Sequence, residues 1–290
     1  RCLALYGRAA CEVYKRQAFL GALKQLVTDE SLDPAFRALC LGLPSEDDLA
    51  QTLADNGRTP DPQAIWDGRQ AMRGAVADVL ADDLERLYTA HRVTGPYSPD
   101  AEPAGKRALT GALLSLITLR DNGAAAAAQY EAANNMTEQL GARSALLAAD
   151  LGSLQLGLFA DQWAHERLVM DKWFALQVAQ AAPEKAAETA KHLTEHADFN
   201  WKNPNRFRAV FGSLAMHHAG FHYESGAGYA LLADWLIKLD PVNPQTTARM
   251  CSAFQTWRRY AADRQGKTGK ERGRNLAQPA HTPHPPVEGR

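Results

Sequence analysis

Apolar residues recur along almost the whole chain at the three- and four-residue spacing of amphipathic helices. Two early helix starts are marked by Asp33-Pro34 and Asp61-Pro62, where the carboxylate can cap the helix and proline takes the first helical position. The Val/Ile/Thr alternation bounded by Asn-Gly or Asp-Gly that is typical of hairpins is nearly absent. The pattern predicts an all-α protein, with later helices near 106–120, 124–134, 137–149, 152–165, 168–180, 183–196, 204–217, 226–239 and 244–260.

Helices of this length, joined by short loops, predict stacked antiparallel helix pairs that form a curved superhelix of the ARM/HEAT type. No fixed sequence period accompanies them, so the repeat is expected to be structural. Residues 1–17 have no clear amphipathic pattern, and residues 266–290 are polar and rich in Pro and Gly, which favours disorder. We therefore predict a helical domain over 18–265 and a disordered tail over 266–290. Residues 1–17 are predicted to be an atypical N-terminal segment, which is either native or an artefact.

Composition excludes some partners. The 290 residues carry 32 Lys and Arg against 33 Asp and Glu, a net charge of -1 that attracts neither nucleic acid nor an anionic membrane surface. No apolar run reaches the roughly 18 residues needed to span a bilayer. The first residues do not resemble a signal peptide. The four cysteines are scattered without a CxxC pair, as is usual for reduced thiols, so we expect a cytoplasmic protein with neither nucleic-acid nor membrane partners.

One stretch spells HxxEH, the inverted zincin pattern, at His192, Glu195 and His196. Residues four apart share a helix face, so two imidazoles could hold one zinc ion with Glu195 as the base. Zinc needs a further protein ligand, however, and the surrounding PEKAAETAKHLTEHADF is typical of a solvated helix whose terminal histidines favour the dipole. We favour the solvated helix.

A second group, His217, His218 and His222, lies at a predicted helix end and could also bind metal. Hydrogen-bonded histidines beside a glycine-containing loop are the commoner arrangement, and we favour it. The sequence contains no HExxH, GxSxG or Walker loop, and its GxG at 226–228 lacks the rest of a nucleotide-binding motif. The residues by themselves indicate an accessory or scaffold domain, without a complete active site.

Five stretches are informative by their order and spacing: EAANNMT (131–137), LVMDKWF (168–174), NPNRFR (203–208), FHYESGAGY (221–229) and NPQTTAR (243–249). An early piece, DESLDPAFRAL at 29–39, precedes them. Together they resemble the C-terminal helical domain of bacterial aminopeptidase N, a zinc metallopeptidase of the gluzincin group. The similarity runs from about residue 19 to residue 265.

The resemblance implies that this chain functions as one domain of a larger enzyme. In that family, an N-terminal β domain, a catalytic domain with HExxH and a GAMEN segment, and a small β domain precede this region. The zinc cofactor, the general-base glutamate and the grip on the substrate amino terminus would therefore lie outside this chain. It would bind the catalytic domain of the same polypeptide, cap the cavity that admits peptide substrates, and be inactive alone. An independent α-solenoid that binds a protein partner is the alternative.

The resemblance also implies a substrate-facing surface formed by Arg208, Gln245 and Arg249. Asn203 and Asn243 each precede a proline and are predicted to cap a helix, which places both arginines near helix starts. A cation there is mildly unfavourable, by about 0.3–1 kcal/mol, which suggests a use beyond stability. In this family arginines at these positions face the catalytic chamber. The alternative is that each arginine pairs with a neighbouring carboxylate.

Overall fold

A computed structural model describes residues 16–276 of the chain, and helices account for all of its regular secondary structure over that range. This confirms the predicted all-α class. The first helix, α1, includes residues 16–28. The others are α2 (Pro34–Cys40), α3 (Glu46–Asp55), α4 (Pro62–Val79), α5 (Leu84–Ala90), α6 (Ala101–Asp121), α7 (Ala124–Ala132), α8 (Met136–Ala148), α9 (Ser153–Trp163), α10 (Arg167–Ala179), α11 (Ala186–Leu193), α12 (Pro204–Phe207), a π-helix (Arg208–Gly212), α13 (Ser213–Met216), α14 (His218–Phe221), α15 (Ala227–Leu239), α16 (Pro244–Met250), a 3₁₀ helix (Cys251–Arg259) and α17 (Ala262–Leu276).

Residues 16–276, which include the predicted 18–265 domain, consist of two compact units. Unit 1 contains residues 16–45 and 66–162, and unit 2 contains residues 46–65 and 163–276. The substrate-facing residues proposed from the sequence all belong to unit 2. None of the described helices is long and apolar enough to cross a membrane.

Helix α6 is the centre of unit 1, since it packs against α2, α5, α7 and α8. Its buried side is built from leucines and an isoleucine spaced for one broad helix face. The approach to α2 is close at Gly105, where a Cβ would lie 3.2 Å from the backbone nitrogen of Ala35. Asp33 caps α2 as predicted, because its carboxylate accepts hydrogen bonds from the backbone N–H groups of Ala35 and Phe36.

Unit 2 has an aromatic core. Helix α10 packs against α11, the π-helix and α13, and α15 packs against α11, α16 and α17. The rings meet edge-on or tilted at centroid distances of 4.7–6.3 Å, the arrangement that the ring quadrupole favours. The aromatic residues of this core are Phe174, Phe199, Phe207, Phe211 and Trp235.

The C-terminal boundary differs from the prediction. Residues 266–276, predicted to be disordered from their composition, continue helix α17 (Ala262–Leu276), which packs against α15. The helix buries Thr268 and Glu271, three positions apart, on one face. Arg274 extends from it to Asp234 of α15 at 2.7 Å. Composition does not detect such contacts. Residues 1–15 and 277–290 lie outside the described range, so the predictions for them are not tested.

Candidate functional site

The two asparagines predicted to cap helices do so. The side-chain oxygen of Asn203 accepts from the backbone N–H groups of Asn205, at 2.9 Å, and Arg206, at 3.4 Å. That of Asn243 accepts from the N–H of Thr246 at 3.0 Å. A proline follows each cap at the first helical position. These local motifs fix where the neighbouring helices begin, and therefore where their arginines lie.

Arg208 is the first residue of the π-helix and is exposed, whereas the three residues after it are buried. Its guanidinium reaches back toward the helix start, where Nη2 donates to the side-chain oxygen of Asn205 at 2.7 Å. This backward direction is the one expected for long helical side chains. Single π turns within helices are frequent at functional sites.

Gln245 and Arg249 lie on the exposed side of α16, four residues apart and therefore on one face. Thr246 and Thr247 between them are buried. This alternation fits a helix that packs against α15 with one side and presents a polar amide and a cation on the other.

The three predicted residues belong to two packing layers of unit 2. The segment with Arg208 packs against α10 and α11, whereas α16 packs against α15 and the 3₁₀ helix. Within residues 16–276, neither Arg208 nor Arg249 forms an ion pair with a carboxylate, contrary to the surface-network alternative. That they share one substrate cavity remains a prediction.

The sequence does not reveal the role of Arg206, which is 6% exposed. Its Nε donates to the Asp171 carboxylate at 2.5 Å, Nη1 donates to the carbonyl of Asp198 at 2.7 Å, and Nη2 donates to the carbonyl of Arg167 at 3.3 Å. The guanidinium also lies 4.4 Å from the centre of the Phe174 ring. The motifs NPNRFR and LVMDKWF each contain one partner of this ion pair, but nothing in either motif indicates that they meet.

The HxxEH stretch does not have the geometry of a zinc site. Helix α11 ends at Leu193, so His192 and His196 are not on consecutive turns of one helix. The side chain of His192 is 83% exposed and its Nδ1 lies 3.7 Å from Glu195. His196 turns its ring toward Trp173 and accepts a hydrogen bond from the backbone N–H of Asp198 at Nδ1. The stretch is a helix end, as favoured above.

The second histidine group is buried in unit 2. His217 accepts from the N–H of Gly220 at Nδ1 and meets the carbonyl of Ala181 at Nε2, 2.8 Å away. With Nδ1 accepting, Nε2 is the nitrogen that donates to the carbonyl. His217 is therefore a hydrogen-bonded core residue. Over residues 16–276, no group of three or more His, Cys, Asp or Glu side chains could hold a metal ion.

His218 and His222 form a hydrogen-bonded cluster with two tyrosines. The hydroxyl of Tyr260 lies 2.9 Å from Nε2 of His218, and that of Tyr229 lies 2.7 Å from Nδ1 of His222. The rings of His222 and Tyr260 lie with centroids 4.2 Å apart and are tilted by 39° to each other. Nδ1 of His218 lies 3.8 Å from the Glu46 carboxylate, too far for a hydrogen bond.

Burial determines the protonation of this cluster. It lowers the pKa of His218 to about 4, with a further contribution from the positive charge of Arg259. Burial likewise holds the pKa of His222 well below its usual value. It raises the pKa of Tyr229 to about 12. All three groups are therefore neutral near pH 7, as a buried hydrogen-bonded network requires.

The fold and these sites define the class of protein: an all-α domain of stacked helix pairs with polar side chains at two capped helix starts. The family model described as "Domain of unknown function (DUF3458_C) ARM repeats" matches residues 2–279, and the chain belongs to this family. Its ARM-repeat description agrees with the predicted architecture.

The chain is similar to curated bacterial aminopeptidases. It is 38% identical to aminopeptidase N of Caulobacter vibrioides over 252 residues, and 36% identical to that of Escherichia coli over 252 residues. These alignments cover 84% and 85% of the chain, but 28% of each relative. The chain thus spans under a third of the length of the curated relatives it matches. The resemblance to the C-terminal helical domain of bacterial aminopeptidase N is confirmed.

A solved structure has the same fold. The crystal structure of Legionella pneumophila aminopeptidase A in complex with aspartic acid superposes with a TM-score of 0.76 and is 29% identical in sequence. The match covers 87% of this chain and 31% of that one.

Proposed function

We propose that this chain is the C-terminal domain of a zinc-dependent aminopeptidase that removes N-terminal residues from peptides in the cytoplasm. It caps the catalytic cavity and limits the access of substrates. The observation that carries the proposal is the alignment of nearly the whole helical region to one part of each aminopeptidase N relative. If the chain is one domain of a longer enzyme, it can resemble a metallopeptidase although it contains no HExxH motif.

The zinc ion belongs elsewhere in that enzyme. The described residues provide no cluster of three suitable ligands, and the HxxEH stretch is an exposed helix end. We therefore expect no peptidase activity and no stoichiometric zinc in the purified 290-residue chain. Metal analysis after dialysis and a chromogenic aminopeptidase assay test this, and one tightly held zinc per chain with turnover would contradict it.

An apolar surface on the early helices supports a missing partner domain. Phe19 and Leu26, seven residues apart on α1, are 46% and 40% exposed, and Phe36 and Leu39 on α2 are 48% and 76% exposed. Helices α1 and α2 are linked by a hydrogen bond from Nε of Arg37 to a carbonyl of α1. Continuous patches of exposed apolar side chains are typical of interaction sites. We propose that these four side chains form one such patch and that the catalytic domain of the same polypeptide covers it.

The gene itself provides the most direct test. If the proposal is correct, the reading frame upstream of the codon for Arg1 encodes HExxH and GAMEN. A complete upstream frame without either motif would contradict it and would leave the independent α-solenoid that binds a protein partner.

The substrate surface is tested in the intact enzyme. Arg208, Gln245 and Arg249 are proposed to line the cavity, where the arginines meet carbonyl groups or the C-terminal carboxylate of a peptide. Arg249→Ala should then raise KM for peptides more than for a small chromogenic amide, with kcat little changed. Equal effects on the two substrates would count against contact with the distal part of the peptide. Arg58→Ala, an exposed arginine of the same unit, is the control.

A further inference from the structure

Unit 2 contains a cavity of about 340 Å³ that the proposed function does not use. It lies between the start of α10 and the loop that leads from α11 to α12. Small-molecule sites in proteins usually range from about 300 to 1,000 Å³, so this volume suits a small ligand. The residues that line it include Arg167, Met170, Asp198, Asn200, Asn203 and Arg206.

The lining is rich in uncommitted hydrogen-bond donors. The side-chain oxygen of Asn200 accepts from the N–H of Lys202, and that of Asn203 accepts from two N–H groups of α12. Because both side-chain oxygens accept hydrogen bonds, the NH₂ groups of the two amides remain available to donate to a ligand. Arg206, buried beside them, uses three of its five N–H donors on Asp171 and two carbonyls.

The cavity also has one cation, Arg167, which forms no ion pair with the described residues, and one anion, Asp198, whose carboxylate makes a long contact with His196. Arg167 is the first residue of α10, where a positive charge opposes the helix dipole, and the preceding Glu166 makes no side-chain cap. The carboxylate of Asp198 lies 3.9 Å from Nδ1 of His196. That nitrogen also accepts the backbone N–H of Asp198 at 3.1 Å, and 3.9 Å is too long for a hydrogen bond to the carboxylate.

We propose that this cavity binds a free α-amino acid. Its carboxylate is held by Arg167 and the amide donors of Asn200 and Asn203, and its ammonium group by Asp198. Met170, which is 2% exposed, supplies an apolar wall for a small aliphatic side chain. A zwitterion is the ligand that satisfies a donor-rich wall and a carboxylate without a hydrogen-bonded cation together.

The test is isothermal titration of the 290-residue chain with three matched probes. L-valine carries both charges, 3-methylbutanoate lacks the ammonium group, and isobutylamine lacks the carboxylate. We expect L-valine to bind about tenfold or more tightly than either analogue, because each charge-assisted contact contributes roughly that factor. Failure of L-valine to bind, or equal binding of 3-methylbutanoate, would overturn the proposal.

Two variants assign the contacts. Arg167→Gln should weaken L-valine binding by about tenfold or more, and Asp198→Asn should weaken it similarly while leaving 3-methylbutanoate binding unchanged. Arg58→Gln, an exposed arginine of the same unit, should bind like the original chain. Both altered side chains are exposed, and circular dichroism checks that the fold is kept. Unchanged binding in both variants refutes the site, whatever the outcome for aminopeptidase activity.

Discussion

The buried histidines predict that unit 2 loses stability in mild acid. His218 is 7% exposed, and burial lowers its pKa from 6.5 to about 4. In the unfolded chain it regains the ordinary pKa and takes up a proton below about pH 6.5. The unfolded state then binds more protons than the folded one, so stability is complete above pH 6.5 and falls as the pH drops toward 4.

The magnitude follows from the difference in pKa. A shift of this size corresponds to about 3 kcal/mol for His218 once the pH has fallen through the folded pKa. Between pH 7 and pH 5 the loss is about 2 kcal/mol, since the folded form stays neutral there. His222, whose pKa is also held well below its usual value, contributes in the same direction. Most carboxylates titrate below this window, so the two histidines should dominate it.

The assay is urea unfolding of the 290-residue chain at pH 7 and pH 5, followed by tryptophan fluorescence. His218→Gln removes the titrating group, so its stability difference between the two pH values should be smaller by about 2 kcal/mol. His192→Gln alters a histidine whose side chain is 83% exposed and should keep the full difference. If His218→Gln keeps the same pH dependence of stability as the original chain, His218 is not the source of the acid sensitivity.

Two further predictions concern packing in unit 2. Asp171→Asn should lower the free energy of unfolding by about 3 kcal/mol, because it leaves the Arg206 cation buried without its carboxylate; urea unfolding measures this. Gly228→Ala should cost about 1–3 kcal/mol in the same assay, since the added Cβ would lie 2.9 Å from the carbonyl oxygen of Phe221. As a control in unit 1, Gly157→Ala on the exposed side of α9 adds a Cβ that meets nothing within 4 Å, and it should stabilise by about 0.5–1 kcal/mol.

Local chemistry explains which helices could be predicted. Helices α7, α8, α10 and α15 begin and end within about two residues of the predicted positions, because apolar spacing and flanking residues are properties of the segment itself. The Asn-Pro starts of α12 and α16 were predicted for the same reason.

The helix bounds differ from the predicted ones where contacts between residues distant in sequence determine the local structure. The helix that starts after Asp61 ends at Val79, and a turn closed by hydrogen bonds to the carbonyl of Leu80 separates it from α5. The segment predicted as a helix to residue 260 becomes 3₁₀ from Cys251. Helix α17 depends on its packing against α15. These outcomes rest on neighbours that a local pattern does not include.

In the candidate site, too, local sequence predicts where the arginines lie, and contacts distant in sequence determine which of them is buried. Arg206 and Arg208 stand two positions apart in one motif, yet one is buried against Asp171 and the other is exposed. Sequence spacing places both near the start of α12, but only the position of Asp171, 35 residues earlier, determines which arginine is structural. Arg208 is therefore the member of the pair whose replacement can report on a ligand without first disturbing the fold. The Asn203 cap fixes the helix start before Arg208, and the buried residues on either side of it, Phe207 and Ala209, anchor its backbone. The guanidinium therefore extends from an ordered part of the fold.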